Sequence, residues 1–215
     1  MSREAGFSLI EVLAAVAVFA LVSTLSVGML GAALRGQEQT EAAIERINAA
    51  QRIAALLKDD VGQAVPRPVR DAEGQEDPRV FAGSIAGVEA VRGLGEAREI
   101  LVLTRTGWAN PGGVQPRSGL QRVSWLYDGD RLWREVLPYP DAARASEPVR
   151  RLVAEGVRDL ELGFYAGSGW ANEVRLLADA ETVPSPPAAV RVRYAIEGLG
   201  TMEHVVLSPS AGGAS

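Results

Sequence analysis

Gly6-Phe7-Ser8-Leu9-Ile10-Glu11-Val12-Leu13 opens a run of chain that stays apolar as far as Leu34. Only a short polar stretch, residues 1–6, stands ahead of it, and it ends in glycine. Between Val12 and Leu34 no residue is charged, a span of 23. At ~1.5 Å of rise per residue such a helix is roughly 34 Å long, enough to cross a bilayer. A secretory signal does not fit, because its apolar core is shorter and its small-residue cleavage site follows that core. Here the only small-residue junction precedes the core. A plain single-pass anchor explains the span but not Glu11. A carboxylate there costs on the order of 2.5–3.5 kcal/mol on insertion scales, so it calls for a partner. Taken alone, Glu11 is read equally well as a polar residue snorkelling to the membrane surface.

The helical pattern does not stop at Arg35. Apolar residues recur at Ile44, Ile47, Ala50, Ala54, Leu57 and Val61, the 3–4 spacing of an amphipathic helix. No proline occurs before Pro66. The spacing predicts one helix over about 8–62, ended by the Gly62 to Pro68 region. Its first half suits lipid, and its second half lays an apolar stripe on a globular domain. Gly28 and Gly31 each lower helix propensity by ~1 kcal/mol relative to alanine. Close helix packing is the simple reading of both.

Residues 66–79 are polar, broken by prolines, and predict a loop. Beyond them the period changes from helical to two. Strands are expected over 99–105, 120–127, 131–137, 158–165, 190–196 and 201–207. Asp128-Gly129-Asp130 and Gly198-Leu199-Gly200 supply hairpin turns. Residues 208–215 are expected to form a disordered tail. The fold class is therefore α+β, a long N-terminal helix packed on an antiparallel β-sheet domain. The expected divisions are 1–6 as leader, 7–34 as transmembrane and assembly helix, 35–65 as amphipathic helix, and 66–207 as globular domain.

Composition excludes much chemistry. There is no cysteine, so disulfides, zinc–cysteine sites and thiol catalysis are out. The one histidine, His204, is expected at the surface of a strand, with no GxSxG turn to make it part of a relay. No GxGxxG or Walker pattern is present. Asp128, Asp130 and Asp141 do not have EF-hand spacing. The formal charge is −5, with 22 basic and 27 acidic residues and no clustered lysine or arginine face, so no nucleic-acid partner is expected. Neither a cofactor nor a metal is expected, and the chain is not expected to be an enzyme.

The stretch from Gly6 to Leu13 resembles the class III signal of type IV pilins and type II secretion pseudopilins. The resemblance implies that a prepilin peptidase cuts between Gly6 and Phe7 and methylates the new amine of Phe7. It also implies that Glu11, fifth in the mature chain, pairs with the N-terminal amine of a neighbouring subunit. Physics agrees with that role. Cleavage leaves a cation four residues from an anion in an apolar helix, and a neighbour offset along a filament satisfies both. The best-attested use of such a pair is to set register. Many type IV pilins carry a helix-breaking proline where Gly28 stands, which suggests local softening there.

A second resemblance is more specific. Gly107-Trp108-Ala109-Asn110-Pro111 is similar to a GWxNP motif of the type II secretion minor pseudopilin J family. Arg117-Ser118-Gly119-Leu120-Gln121-Arg122-Val123 is close to that family's R-S-x-L-Q-R-V pattern, and Phe164-Tyr165 and Gly169-Trp170 also look like it. The stretch after Leu132 departs from the family's aromatic spacing. Asn110 before Pro111 favours a turn, with Trp108 as its aromatic anchor. The resemblance implies a structural subunit of a pseudopilus tip, serving protein export across the outer membrane with minor pseudopilins I and K. It implies an inner-membrane, single-pass protein with a cytoplasmic N-terminus and a periplasmic domain, drawn into the periplasmic pseudopilus. Two alternatives stay open: a minor pilin of a type IV pilus or DNA-uptake machine, and a membrane-tethered periplasmic enzyme.

Overall fold

In the computed structural model the described residues are 8–70, 74–88, 97–107, 118–141, 147–167 and 169–212. One helix, α1 (Leu9–Gly62), runs without a break through Gly28 and Gly31. A Cβ added at Gly28 would meet nothing within 4 Å, so close packing within this chain does not explain that glycine. The chain divides into two compact units, residues 1–45 and 46–215. In the first unit the helix buries no described residue. In the second, Ala49, Ala50, Ile53, Leu57 and Val61 are buried. Those positions follow the i, i+4 rows of a helix face. Ile44 and Ile47, which the periodicity placed in the stripe, are exposed, and cover begins at Ala49.

The rest is antiparallel sheet. The strands are β1 (Ala64–Val65), β2 (Val69–Arg70), β3 (Glu76–Asp77), β4 (Arg79–Ser84), β5 (Arg98–Arg105), β6 (Gln121–Tyr127), β7 (Leu132–Leu137), β8 (Val149–Ala154), β9 (Val157–Ala166), β10 (Gly169–Ala171), β11 (Glu173–Leu177), β12 (Ala189–Ile196) and β13 (Gly200–Leu207). The larger sheet has the order β11-β4-β5-β6-β7-β8, with β1 added against the end of β5, and the smaller has β10-β9-β12-β13. The six strands expected from alternation are all present. Strands β1, β4, β8, β10 and β11 were not anticipated, and β1 occupies the end of the 35–65 stretch expected to be helix, which stops at Gly62. The presumed loop 66–79 contains β2 and β3, paired Val69 to Asp77 and Arg70 to Glu76. The tail expected to be disordered instead begins with buried Ser208, whose N–H donates to the Ala188 carbonyl, and a 3-10 turn at Pro209–Gly212.

One apolar core joins helix and sheets. Phe81 of β4 meets Phe164 of β9 edge to face, with centroids 6.1 Å apart. Gly83 lets this happen: a Cβ there would sit 2.2 Å from Cζ of Phe164. Each hairpin turn rests on glycine with positive φ, Gly129 at 105° and Gly198 and Gly200 at 82° and 76°. Asp128 completes the first turn, accepting the N–H groups of Asp130 and Arg131 at 3.0 and 2.7 Å. Burial opposes ionisation of Asp128. The two backbone bonds and the Arg131 guanidinium outweigh it, holding the carboxyl below its usual range.

Candidate assembly site

The first candidate surface is the exposed half of α1. Leu9 is 78% exposed, Phe19 73% and Met29 73%. An apolar surface of that extent in water marks a membrane or partner contact. The segment is long and apolar enough to cross a membrane. Two of its hydroxyls are bonded within the helix. Thr24 Oγ1 donates to the Ala20 carbonyl and Ser26 Oγ to that of Val22, both at 2.8 Å. Neither hydroxyl is left to lipid. Glu11 is different. It lies in the first turn, where its N–H donates to the Ser8 carbonyl at 3.0 Å. Its carboxylate has no partner among the described residues, and its side chain is exposed. Gly6 and Phe7 fall outside the described residues. So do Trp108, Asn110 and Pro111.

The second candidate surface surrounds the far end of the helix, and here sequence reading missed the central residue. Asp60 is fully buried in the apolar stripe. Its two oxygens accept four bonds. Arg134 bonds it bidentately, Nε to Oδ2 at 2.7 Å and Nη2 to Oδ1 at 2.6 Å. Arg105 Nη1 reaches Oδ1 at 2.8 Å, and Trp125 Nε1 reaches Oδ2 at 2.9 Å. A carboxylate has about four lone-pair sites, so Asp60 is saturated. Exposed Asp59 also bonds Arg105, which makes the cluster two acids against two cations. Burial works against the Arg105 cation, but the two carboxylates outweigh that and hold its pKa above the ordinary value. Gly107, first residue of the GWxNP-like stretch, packs on Gln63 just beyond the helix. At φ 86° it stands where a Cβ would fall 1.4 Å from Gln63 Oε1.

Arg122, from the Leu-Gln-Arg-Val stretch, anchors a second network. It is buried, and Nη1 donates to the Arg79 carbonyl at 2.9 Å and to Thr104 Oγ1 at 3.2 Å. Its Nη2 reaches Asp77 at 3.2 Å. Arg79 bridges Asp77 and Glu99, and Ser124 donates to Glu99 at 2.6 Å. Burial lowers the Arg122 pKa. Burial also opposes ionisation of Asp77, yet the bonds from Arg79 and the charge of Arg122 carry its pKa below the usual value. These networks knit helix and strands of the domain together. A sequence signal for them was present, Arg122 inside one motif block and Arg105 just ahead of the other, but most of their partners lie far away along the chain, 45 residues for Arg105 and Asp60 and 74 for Arg134 and Asp60.

His204 is half-buried rather than on the surface. Its Nε2 lies 3.0 Å from the Tyr194 hydroxyl, which also donates to the Ala50 carbonyl of α1 at 3.4 Å. Burial pushes Tyr194 up to about 12. Asp141 accepts Arg67 at 2.6 Å and the Arg70 N–H at 3.2 Å, so it serves a loop. Among the described residues no group of three or more His, Asp or Glu side chains is placed to hold a metal.

Comparison with known proteins agrees with this arrangement. Residues 1–27 match the prokaryotic N-terminal methylation motif. Such a motif, an apolar helix and a helix-on-antiparallel-sheet domain together define a pilin-like protein. Residues 28–208 match type II secretion system (T2SS) protein J. Protein J of Klebsiella pneumoniae is 30% identical over 205 residues, 95% of each chain. The Escherichia coli protein J is also 30% identical over 205 residues, 95% of this chain and 96% of that one. A chain of the crystallised GspK-GspI-GspJ complex from enterotoxigenic E. coli superposes with a TM-score of 0.58 at 32% identity, over 75% of this chain and 96% of that one. The chain belongs to the type II secretion system protein J family. It is a minor pseudopilin, a structural subunit of that export machine. The match beyond residue 65 decides against a type IV minor pilin, which shares only the N-terminal features.

Proposed function

We propose that this chain is cut between Gly6 and Phe7 by a prepilin peptidase, N-methylated at Phe7, and built into the pseudopilus tip beside the I- and K-type minor pseudopilins. The observation that carries this reading is Glu11, an exposed carboxylate with no described partner in the otherwise uncharged, membrane-spanning length of α1 over residues 9–34. The GspK-GspI-GspJ crystal complex supports the choice of partners. The N-terminus starts in the cytoplasm and the domain in the periplasm. Residues 7–34 form the membrane and assembly helix, and 35–65 hold its amphipathic continuation to Gly62 and then strand β1. Lipid and partner helices are similarly apolar, so packing and the Glu11 pair decide order within the assembly. The saturated networks around Asp60 and Arg122 support a subunit without catalytic activity.

The mass of the native mature protein tests processing. The expected N-terminus is N-methylated Phe7, and Met1 to Gly6 still attached overturns the reading. Glu11→Ala tests assembly. Cleavage should proceed as before, while co-purification of the I- and K-type partners falls at least tenfold. Undiminished co-purification removes the role given to Glu11.

A further inference from the structure

The β7–β8 ladder holds two neighbouring arginine pairs of opposite character. Arg150 stands across from Glu135 and bonds it, Nε to Oε2 at 2.9 Å. Arg151, one residue on and so on the other face, stands across from Arg134. Like charges directly opposite one another destabilise a sheet. Asp60 compensates Arg134, but that carboxylate is already saturated by Arg134, Arg105 and Trp125. Arg151 is exposed and has no partner among the described residues. The fold thus keeps an unfavourable juxtaposition that glutamate at 151 would remove.

The juxtaposition lines an open groove of about 470 Å³ between α1 and β8. Arg52, Arg134 and Arg151 supply its charge, and Leu56, Val136 and Leu152 its walls. None of its described lining residues is acidic, in a chain whose formal charge is −5. Strand β8 ends the larger sheet and pairs on one side only among the described residues. Arginine forks take carboxylates bidentately, and arginine beside apolar walls is the anatomy of an interface hot spot.

We propose that this groove receives an acidic, partly apolar segment of another pseudopilus subunit, with Arg151 as the anchor for its carboxylate. The inference rests on the assembly reading above and names a surface for it. A partner carboxylate would neutralise the Arg134–Arg151 repulsion, so the bound chain sheds a cost that the free chain carries. The apolar walls select a peptide over a bare anion.

The test uses the full-length protein in cells that carry the secretion system. A photo-crosslinking p-benzoylphenylalanine replaces Leu152, which is 46% exposed. A second probe replaces Val16 in the apolar helix. The Leu152 adduct should map to an Asp- or Glu-containing segment of another pseudopilin. Arg151→Glu should lower its yield at least tenfold and leave Val16 adducts unchanged. Arg151→Gln should lower the Leu152 adduct while the melting temperature holds or rises, because the repulsion is gone. An adduct insensitive to Arg151→Glu, or mapped to lipid or to a segment without acids, overturns the proposal. Val16 adducts without a Leu152 adduct overturn the groove alone. Loss of both overturns the assembly reading and the groove with it.

Discussion

The two halves of α1 solve opposite problems with the same backbone. Residues 9–34 bury nothing within the chain and hold one carboxylate with no described partner. Residues 46–62 bury Ala49, Ala50, Ile53, Leu57 and Val61, and hold a carboxylate that is saturated. Both halves place an acid in an apolar helix surface, Glu11 in one and Asp60 in the other. Asp60 finds its cations inside the fold, whereas Glu11 has none among the described residues. An acid in an apolar helix is therefore no signature of assembly by itself. What separates the two is whether the chain supplies the counter-charge.

Substitutions can break that contrast, and the largest effect is expected at Asp60. Asp60→Ala leaves the Arg105 and Arg134 guanidiniums and the Trp125 N–H without their acceptor. Removing one partner of a buried pair costs about 3–5 kcal/mol. For a chain of this size that lowers the melting temperature by on the order of 10 °C, readable by near-ultraviolet circular dichroism in detergent.

The next effect is alkaline and concerns Tyr194, whose hydroxyl bonds the Ala50 carbonyl. Its folded pKa of about 12 lies above the ~10 of an unfolded tyrosine. The unfolded chain therefore ionises first. Stability is full below pH ~10 and falls as pH rises toward 12, by about 2–3 kcal/mol in all. Melts across that range should show the loss, and Tyr194→Phe should remove that part of it.

Gly107→Ala should cost roughly 1–2 kcal/mol. It strains a left-handed residue and pushes the Gln63 side chain aside, although the flexible end of that side chain can yield. A urea midpoint reads it. The smallest effect on stability belongs to Glu11→Ala, expected within about 0.5 kcal/mol because nothing described touches the carboxylate. A loss comparable to that of Asp60→Ala would erase the distinction between the two acids.

Local pattern carried much of this fold into the sequence. The uncharged span, the change from period 3.6 to period 2, and the Asp128-Gly129-Asp130 turn each depend on neighbours a few residues apart. What escaped depends on distant neighbours. Asp60 reads as a polar interruption of an apolar stripe until Arg105, Trp125 and Arg134 are brought to it. Ile44 and Ile47 obey the helical period, but periodicity does not say where cover begins. Strand β8 hides because Arg150 and Arg151 interrupt its alternation, and β4 because Gly83 leaves a gap where Phe164 enters. The roles proposed for Gly6, Phe7 and Glu11 stand on a different footing. They rest on the resemblance of Gly6 to Leu13 to a processing signal, because their chemistry lies beyond the fold.

The position of Asp60, in the last turn of α1, also has a mechanical consequence. Traction along the helix axis reaches the domain in part through a carboxylate tied at once to β5, β6 and β7, beside the apolar contacts of Ile53, Leu57 and Val61. Three partners on three strands share that part of the load. A subunit hauled by its helix would yield at that junction only when several bonds gave way together.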